Sequence, residues 1–166
     1  MNFWPFLREF FTRLSGAVPP KTSPMSDGLY LPFEEKIQRL IAQARAEGLE
    51  VGMFEGFRSH KRQAELYAKG RGKPGPRVTN AKAGMSMHNY GIAADIVFRE
   101  NGKWSWAEKH PWSRLGAIGK SVGLEWGGDW TSIKDRPHFE LPTNLTLTKM
   151  NSLYQKGGLA EVWEHL

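Results

Sequence analysis

Two short motifs contain histidines and carboxylates whose types and spacing could bind a metal ion. In the first, SMHNYGIAAD (residues 86–95), His88 lies in a predicted turn and Asp95 lies seven positions later in a predicted strand. Small residues between them let the backbone fold back closely, so the imidazole and the carboxylate can converge on one point. A hydrogen-bonded structural pair would show the same spacing, so this motif alone leaves both interpretations open.

The second motif, DRPHFE (residues 135–140), supplies His138 as a third possible ligand and Asp135 three positions before it. Two histidines and one aspartate suit zinc, and three protein ligands leave the fourth tetrahedral position for water. Zinc would lower the pKa of that water to about 7, and an unligated carboxylate could pass its proton to a leaving amine. We assign the role of general base to Asp135.

The composition limits the kinds of site that the chain can form. There is no cysteine among the 166 residues, which excludes disulfides, thiol catalysis and thiolate-bound metals. The length and the 40% hydrophobic content suit one globular domain. With a mean hydropathy of −0.51, the chain has no apolar run of the roughly 18 residues that a membrane-spanning helix needs, which excludes an integral membrane protein.

The formal net charge of +6 is concentrated in one segment. Residues 55–84 contain eight basic residues against two acidic ones, which accounts for the whole excess. This segment is interpreted either as a solvated basic loop or as a rim that attracts anions beside a functional site. Nucleic acid ranks below both interpretations and is not expected as a partner.

The chain divides into an N-terminal segment over residues 1–30 and a domain over residues 31–166. The segment begins with a predicted amphipathic helix, followed by a Pro-rich linker. The helix lacks the basic start and the unbroken apolar stretch of a cleavable signal peptide. It could pack on the domain, or lie on a membrane surface or a partner.

Periodicity and turn residues predict an α+β fold for the domain. Helices are expected over residues 34–47, 60–69 (capped by Ser59), 112–122 and 147–166, the last broken at Gly157-Gly158. Strands are expected over residues 49–54, 92–98, 104–106, 124–126 and 138–141.

Three stretches together resemble the zinc cell-wall peptidases. They are SMHNYGIAAD (86–95), EWGGDW (125–130) and DRPHF (135–139), and the resemblance extends from about Phe54 to Leu141. This family includes D-Ala-D-Ala carboxypeptidases, vancomycin-resistance dipeptidases and phage L-alanyl-D-glutamate endolysins. The resemblance implies the hedgehog/D-Ala-D-Ala peptidase-like fold, in which a small antiparallel sheet is flanked by helices and the zinc site lies on the sheet.

The resemblance also implies roles for individual residues. His88, Asp95 and His138 match the zinc ligands, and Asp135 matches the acidic general base. Arg58 matches an arginine that faces the substrate carbonyl, where a fixed cation could stabilise an oxyanion.

Further residues are candidates for the substrate cleft and for the surroundings of the ligands. Ser86 matches a position beside the first ligand and could donate a hydrogen bond to substrate or cap a turn. Trp126 and Trp130 could line the cleft, and Trp130 is the better candidate. Asp129 and Glu140 could hydrogen-bond a ligating histidine.

The function expected from this resemblance is zinc-dependent hydrolysis of the L-alanyl-D-glutamate bond in peptidoglycan stem peptides. Many carboxypeptidase and dipeptidase members have glutamate where Asp135 stands, so aspartate there, with EWGGDW, resembles the endopeptidase branch. One alternative is a D,D-carboxypeptidase that removes terminal D-Ala. Another is an inactive module that binds the cell wall through its aromatic residues and basic rim.

The expected partner is peptidoglycan, and the protein is expected to be a monomer. The endolysin resemblance implies synthesis in the cytoplasm without a cleavable signal peptide, followed by holin-type release and action in the periplasm or cell wall. Direct engagement of the membrane by the N-terminal helix is the other route considered.

Overall fold

A five-stranded antiparallel sheet carries the residues of the site. The structure is a computed structural model that describes residues 28–166, so the predicted N-terminal helix and most of the linker lie outside the described residues. The elements are α1 (Leu31–Ala46), β1 (Val51–Glu55), α2 (His60–Ala68), β2 (Ala93–Glu100), β3 (Lys103–Ser105), α3 (Trp112–Ser121), β4 (Glu125–Trp126), β5 (His138–Glu140) and α4 (Leu147–Trp163). The α+β class and the order of helices and strands expected from the sequence are confirmed.

The sheet has the strand order β1-β2-β5-β4, and β3 pairs with the far end of β2. Because β2 is the longest strand, its first residues pair with β5 while its last residues pair with β3. All of the pairings are antiparallel. The central strand β2 therefore connects the β5 side of the sheet to the β3 side, since β5 and β3 pair with different ends of it.

The main core lies between one face of the sheet and the helices α1 and α3. Alternate residues of β2 enter this core, because successive side chains of a strand point to opposite faces. Gly116 and Gly119 let α3 approach the sheet closely, since an added Cβ atom would lie 2.3 Å from Trp126 and 2.2 Å from Phe139. The buried residues that α1, α3 and β2 contribute include Phe33, Ile37, Leu40, Leu115, Ile118, Ala94, Ile96 and Phe98. The intervening residues of β2 lie on the opposite face.

A second core cluster supports a 3-10 helix, Met87–Tyr90, that precedes β2. Tyr90 is fully buried against α4, and its hydroxyl donates a hydrogen bond to the Gly84 carbonyl at 2.7 Å. The indole of Trp163 donates to the Tyr90 carbonyl at 2.8 Å. The predicted break in the last helix is confirmed, because Gly157 and Gly158 have non-helical backbone angles.

None of the helices in residues 28–166 combines the length and the apolar character needed to cross a membrane.

Gly91 fixes the turn between the 3-10 helix and β2. Its φ of 68° is left-handed, and an added Cβ atom would lie 2.0 Å from the carbonyl oxygen of Gly28. The Gly91 carbonyl in turn accepts a hydrogen bond from the amide of Tyr30 at 2.9 Å. The turn is thus locked against the segment that leads into α1, and the preceding helix is held in place.

We predict that Gly91→Ala destabilises the fold by about 2–5 kcal/mol, which adds a steric clash to the cost of a left-handed alanine. Gly102→Ala is the matched control, because Gly102 has a φ of 75° but open space around its missing Cβ. The control should cost only about 1–2 kcal/mol. Urea unfolding measures both, and equal losses of stability would contradict the proposed contact with Gly28.

Candidate active site

Three side chains converge at one end of the sheet face that α1 and α3 leave free. Nε2 of His88 lies 3.3 Å from Nδ1 of His138 and 3.5 Å from Oδ1 of Asp95. The same Asp95 oxygen lies 3.6 Å from Nδ1 of His138. Both histidines are buried. The three predicted ligands therefore form a nearly equilateral triangle of nitrogen and oxygen atoms.

The backbone explains this convergence. Asp95 and His138 are direct cross-strand partners of β2 and β5, so their side chains share one face of the sheet. His88 reaches the same point from the 3-10 helix, which Gly91 joins to the start of β2. The seven-residue separation of His88 and Asp95 is thus spanned by a helical turn followed by a strand, as the sequence predicted.

Each histidine is oriented through the ring nitrogen that faces away from the triangle. Nδ1 of His88 lies 2.8 Å from the Gly56 carbonyl, and Nε2 of His138 lies 2.8 Å from the Glu140 carboxylate. Both partners can only accept, so in the neutral imidazoles these outer nitrogens carry the hydrogens, an assignment that follows from the partners. The inner nitrogens then present lone pairs to each other and to Asp95.

This arrangement fits a zinc ion. Ligand atoms at about 2.0–2.1 Å from a tetrahedral zinc are separated by about 3.3–3.4 Å, close to the observed triangle. Three acceptors that face one another without a hydrogen between them repel, whereas a cation between them is attractive. Histidines held by a carbonyl and a carboxylate on their outer nitrogens are also typical of metal sites.

The pKa values of His138 and Asp95 also show that the site favours positive charge. Burial alone would lower the pKa of His138, but hydrogen bonds with Asp95 and Glu140 outweigh it and raise that pKa to about 9. Burial would raise the pKa of Asp95, yet the adjacent His88 and His138 hold it well below its usual range. Both shifts have the same cause, which is the attraction between the carboxylates and positive charge at the histidines.

Asp135 lies in the cleft beside the triangle without belonging to it. Its backbone is tied down, because its amide donates to the Gly127 carbonyl at 3.0 Å and its carbonyl accepts from the His138 amide at 3.2 Å. Burial and the negative charge of Asp95 raise the pKa of the Asp135 carboxyl. A half-buried carboxylate with a raised pKa is suited to accept and return a proton.

Arg58 is a buried cation beside the triangle. Its guanidinium donates to the carboxylate of Glu55 and, through Nη1, to the side-chain oxygen of Gln63 at 2.9 Å. Nη2 also lies 3.5 Å from Oδ2 of Asp95, the oxygen that points away from the histidines. Within residues 28–166, Nε of Arg58 has no hydrogen-bond partner. The structure thus places Arg58 at the wall of the cleft rather than in solvent.

The remaining candidates separate into cleft residues and others. Ser86 lines the cleft and precedes the 3-10 helix, but its hydroxyl does not cap that helix. Trp130 also lines the cleft, with its ring 5.0 Å from that of His138. Trp126 is buried in the core, and Asp129 pairs with Lys120 at 2.7 Å rather than with a histidine.

Several groups that position the side chains of the site were not predicted from the sequence. Glu55 and Gln63 accept hydrogen bonds from Arg58. The spacing of Glu55, three positions before the candidate arginine, could have indicated its contact. The Gly56 carbonyl that orients His88 leaves no signal in the sequence. Phe54 and Trp106 also line the cleft, which has a volume of about 1020 Å³. A cleft of this size accommodates several residues of a peptide.

Comparisons with known proteins agree with this geometry. A family model described as D-alanyl-D-alanine carboxypeptidase matches residues 79–141, the stretch that contains the triangle and Asp135. The peptidoglycan L-alanyl-D-glutamate endopeptidase CwlK of Bacillus subtilis (strain 168) is 39% identical over 130 residues, which cover 73% of this chain and 78% of that protein. The chain belongs to the zinc cell-wall peptidase family.

Two further relatives place the chain within this family. The L-alanyl-D-glutamate peptidase of Listeria phage A118 is 28% identical over 108 residues, which cover 62% of this chain but only 34% of the phage protein. The crystal structure of the Serratia marcescens L-Ala D-Glu endopeptidase ChiX superposes with a TM-score of 0.52 at 26% identity, covering 69% of this chain and 81% of that one. The zinc cell-wall peptidase family and the fold expected from the sequence are confirmed.

We predict that Glu140→Ala weakens zinc binding by about 10–100-fold, because His138 loses the acceptor that holds its Nδ1 toward the triangle. Glu140→Gln should retain part of the affinity, since its amide oxygen can still accept the hydrogen bond. Zinc competition with a chromophoric chelator measures the dissociation constants.

Glu125→Ala is the matched control, because Glu125 is an exposed carboxylate directly opposite Glu140 on β4. Its loss changes the net charge by the same amount but removes no contact with a histidine. If both alanine variants bind zinc equally well, Glu140 does not orient His138.

Proposed function

We propose that this protein is a zinc endopeptidase that hydrolyses the L-alanyl-D-glutamate bond of peptidoglycan stem peptides. One observation carries the proposal. The triangle of two histidines and an aspartate, with an unligated aspartate beside it, occurs in a chain 39% identical to an enzyme of that specificity. The geometry supports metal-dependent hydrolysis, and the relatives support the choice of the bond that is hydrolysed.

His88, Asp95 and His138 are the residues proposed to hold the zinc ion. When bound, zinc polarises the scissile carbonyl and lowers the pKa of water to about 7. The protein contributes a triangle of lone pairs whose orientation is fixed before the metal arrives. Such preorganisation keeps the cost of rearrangement small.

Asp135 is proposed as the general base and then the general acid. Its carboxylate accepts a proton from the attacking water and returns that proton to the leaving amine nitrogen, so the proton balance closes within one turnover. Burial in the cleft raises the pKa of Asp135, which favours both transfers.

Arg58 is proposed to stabilise the negative charge that develops on the substrate carbonyl oxygen. Because Glu55 and Gln63 hold its guanidinium, the cation does not need to be ordered during the reaction. Ser86 and Trp130 are proposed to contact the peptide, Ser86 through its hydroxyl and Trp130 through the face of its ring.

The two alternative functions have less support. The D,D-carboxypeptidase reading rests on the description of the matching family model, whereas the named relatives with the higher identities act on the L-alanyl-D-glutamate bond. The inactive-module reading requires a defective site. The ligand triangle, Asp135 and Arg58 are instead all present around one cleft.

The substrate places the site of action at the cell wall, outside the cytoplasmic membrane. The endolysin-like relatives support this location. Holin-type release, a role of residues 1–30 at the membrane surface and the monomeric state remain predictions.

We predict that the Asp135→Asn variant lowers kcat/KM on muropeptides by about 10²–10⁴-fold, because the amide is nearly isosteric but cannot accept the proton. Its zinc affinity should stay within about threefold of the wild type, since Asp135 is not part of the triangle. Mass spectrometry of digested muropeptides gives both the bond and the rate.

The matched control is His138→Ala, which should lose both zinc binding and activity. New amino termini at D-Glu support the endopeptidase. Release of free D-Ala from otherwise intact stems would assign the carboxypeptidase instead. Intact muropeptides in the presence of bound zinc would indicate a binding module.

A further inference from the structure

An exposed group of aromatic rings continues the cleft away from the zinc triangle. Phe54 and Trp106 are 47% and 49% exposed, which is high for such large apolar side chains. Their ring centroids are 5.0 Å apart, and Phe54 also lies 5.6 Å from Trp104, edge to face in both cases. We refer to Phe54, Trp104 and Trp106 as the aromatic shelf.

Contacts with β1 and β2 hold Trp104 of the aromatic shelf in place. The guanidinium of Arg99 lies 4.2 Å from the centroid of the Trp104 ring, at a distance typical of a cation–π contact. The Trp104 ring also occupies the space over Gly52, where an added Cβ atom would lie 3.2 Å from it. The exposed rings therefore form a fixed surface rather than loose side chains.

The strand register gives the position of the aromatic shelf relative to the triangle. Asp95 pairs with Glu55, and four residues along β2 Arg99 pairs with Trp104. At about 3.3 Å per residue, the backbone of Trp104 lies about 13 Å along the strand from that of Asp95. Phe54 precedes Glu55, so its backbone lies within about 3–7 Å of that of Asp95. The aromatic shelf thus begins beside the site and extends down the sheet.

Two cations line the cleft near the point where the chain leaves β1. Beyond Glu55 the chain turns away from the sheet into α2, and this part of the cleft is lined by Arg62 and Lys69. Arg62 is half exposed and lies 3.5 Å from Glu55. Measured along β1 from Glu55, the aromatic shelf therefore lies toward β3, whereas Arg62 and Lys69 belong to the part of the chain that leads into and out of α2.

A peptidoglycan stem has a matching asymmetry. On the amino side of the scissile bond, a single L-alanine joins the stem to the lactyl group of an aminosugar in the glycan strand. On the other side, the D-glutamate carries a free carboxylate, because the chain continues through its side-chain carboxyl group. Charge complementarity directs this carboxylate toward Arg62 and Lys69, and so the sugar toward the aromatic shelf.

We propose that the aromatic shelf binds the aminosugar of the glycan strand, through contact of its rings with the apolar C–H face of the sugar. This proposal rests on the proposed function. Two backbone repeats separate the scissile carbonyl from the sugar, a span of about 7 Å, which falls within the extent of the aromatic shelf. Glu108 and Arg136, paired at 3.4 Å in the same cleft, can hydrogen-bond to the sugar's hydroxyl and acetamido groups.

The test compares two substrates of the zinc-loaded, full-length protein. One is a stem tetrapeptide with an acetylated N-terminus, and the other is the same tetrapeptide attached to the disaccharide of the glycan. We expect kcat/KM to be at least about tenfold higher for the glycan-linked substrate, mainly through a lower KM. In Trp106→Ala this ratio should fall toward one, and Trp106→Phe should restore part of it.

Ile133→Ala is the matched control, because Ile133 is 61% exposed but does not line the cleft. Its substrate ratio should equal that of the wild type. A wild-type ratio of one, or an unchanged ratio in Trp106→Ala, overturns the glycan site while cleavage of the free peptide still supports the endopeptidase. An equal rise in activity of Trp106→Ala on both substrates also overturns it, since the shelf would then hold an inhibitory segment of the chain.

A binding measurement separates the glycan site from the proposed function. The peptide-free disaccharide should shift the indole NMR signals of Trp104 and Trp106 in the wild type and leave those of Trp163 unchanged. If neither peptide substrate is cleaved, the endopeptidase assignment fails, and the disaccharide titration alone decides the glycan site. No shift at millimolar disaccharide overturns the glycan site.

Discussion

Three hydrogen-bond acceptors that face each other at 3.3–3.6 Å need a cation between them. The surrounding structure is arranged to maintain this contact. Cross-strand pairing brings Asp95 and His138 together, and the 3-10 helix delivers His88 from the other side. The outer partners of both histidines direct their lone pairs inward, so the protein supplies the acceptors and leaves the positive charge to a metal or a proton.

The same contact sets the electrostatics of two neighbouring charged groups, Asp135 and Arg58. Burial and the charge of Asp95 both raise the pKa of Asp135. The charge of Asp95 also attracts Arg58. A dication within the triangle would offset the negative charge of Asp95 and favour the ionised form of Asp135. The protonation of Asp135 and the charge held within the triangle therefore depend on each other, although Asp135 is not part of the triangle.

The local sequence predicted the helices and strands but not the tertiary contacts between them. The helix beginning after Ser59 could be predicted because its cap is local, and the Ser59 hydroxyl indeed accepts from the Arg62 amide at 3.1 Å. The pairing of Asp95 with His138 spans 43 positions, and no periodicity specifies it. The two motifs could be joined only through the ligand chemistry that they share and through the family resemblance. The clasp of Glu55 and Gln63 on Arg58 depends on side-chain geometry, which spacing does not encode.

The length of β2 links the chemistry to recognition. Its first residues pair with β5 and carry Asp95, while its last residues pair with β3 and place Arg99 beneath Trp104. Strand alternation puts Asp95 and Arg99 on the same face, with buried Val97 between them. A one-residue shift in the register of β2 would turn Asp95 into the core and the apolar residues outward. The hydrophobic core beneath the sheet therefore fixes both the ligand triangle and its distance from the aromatic shelf.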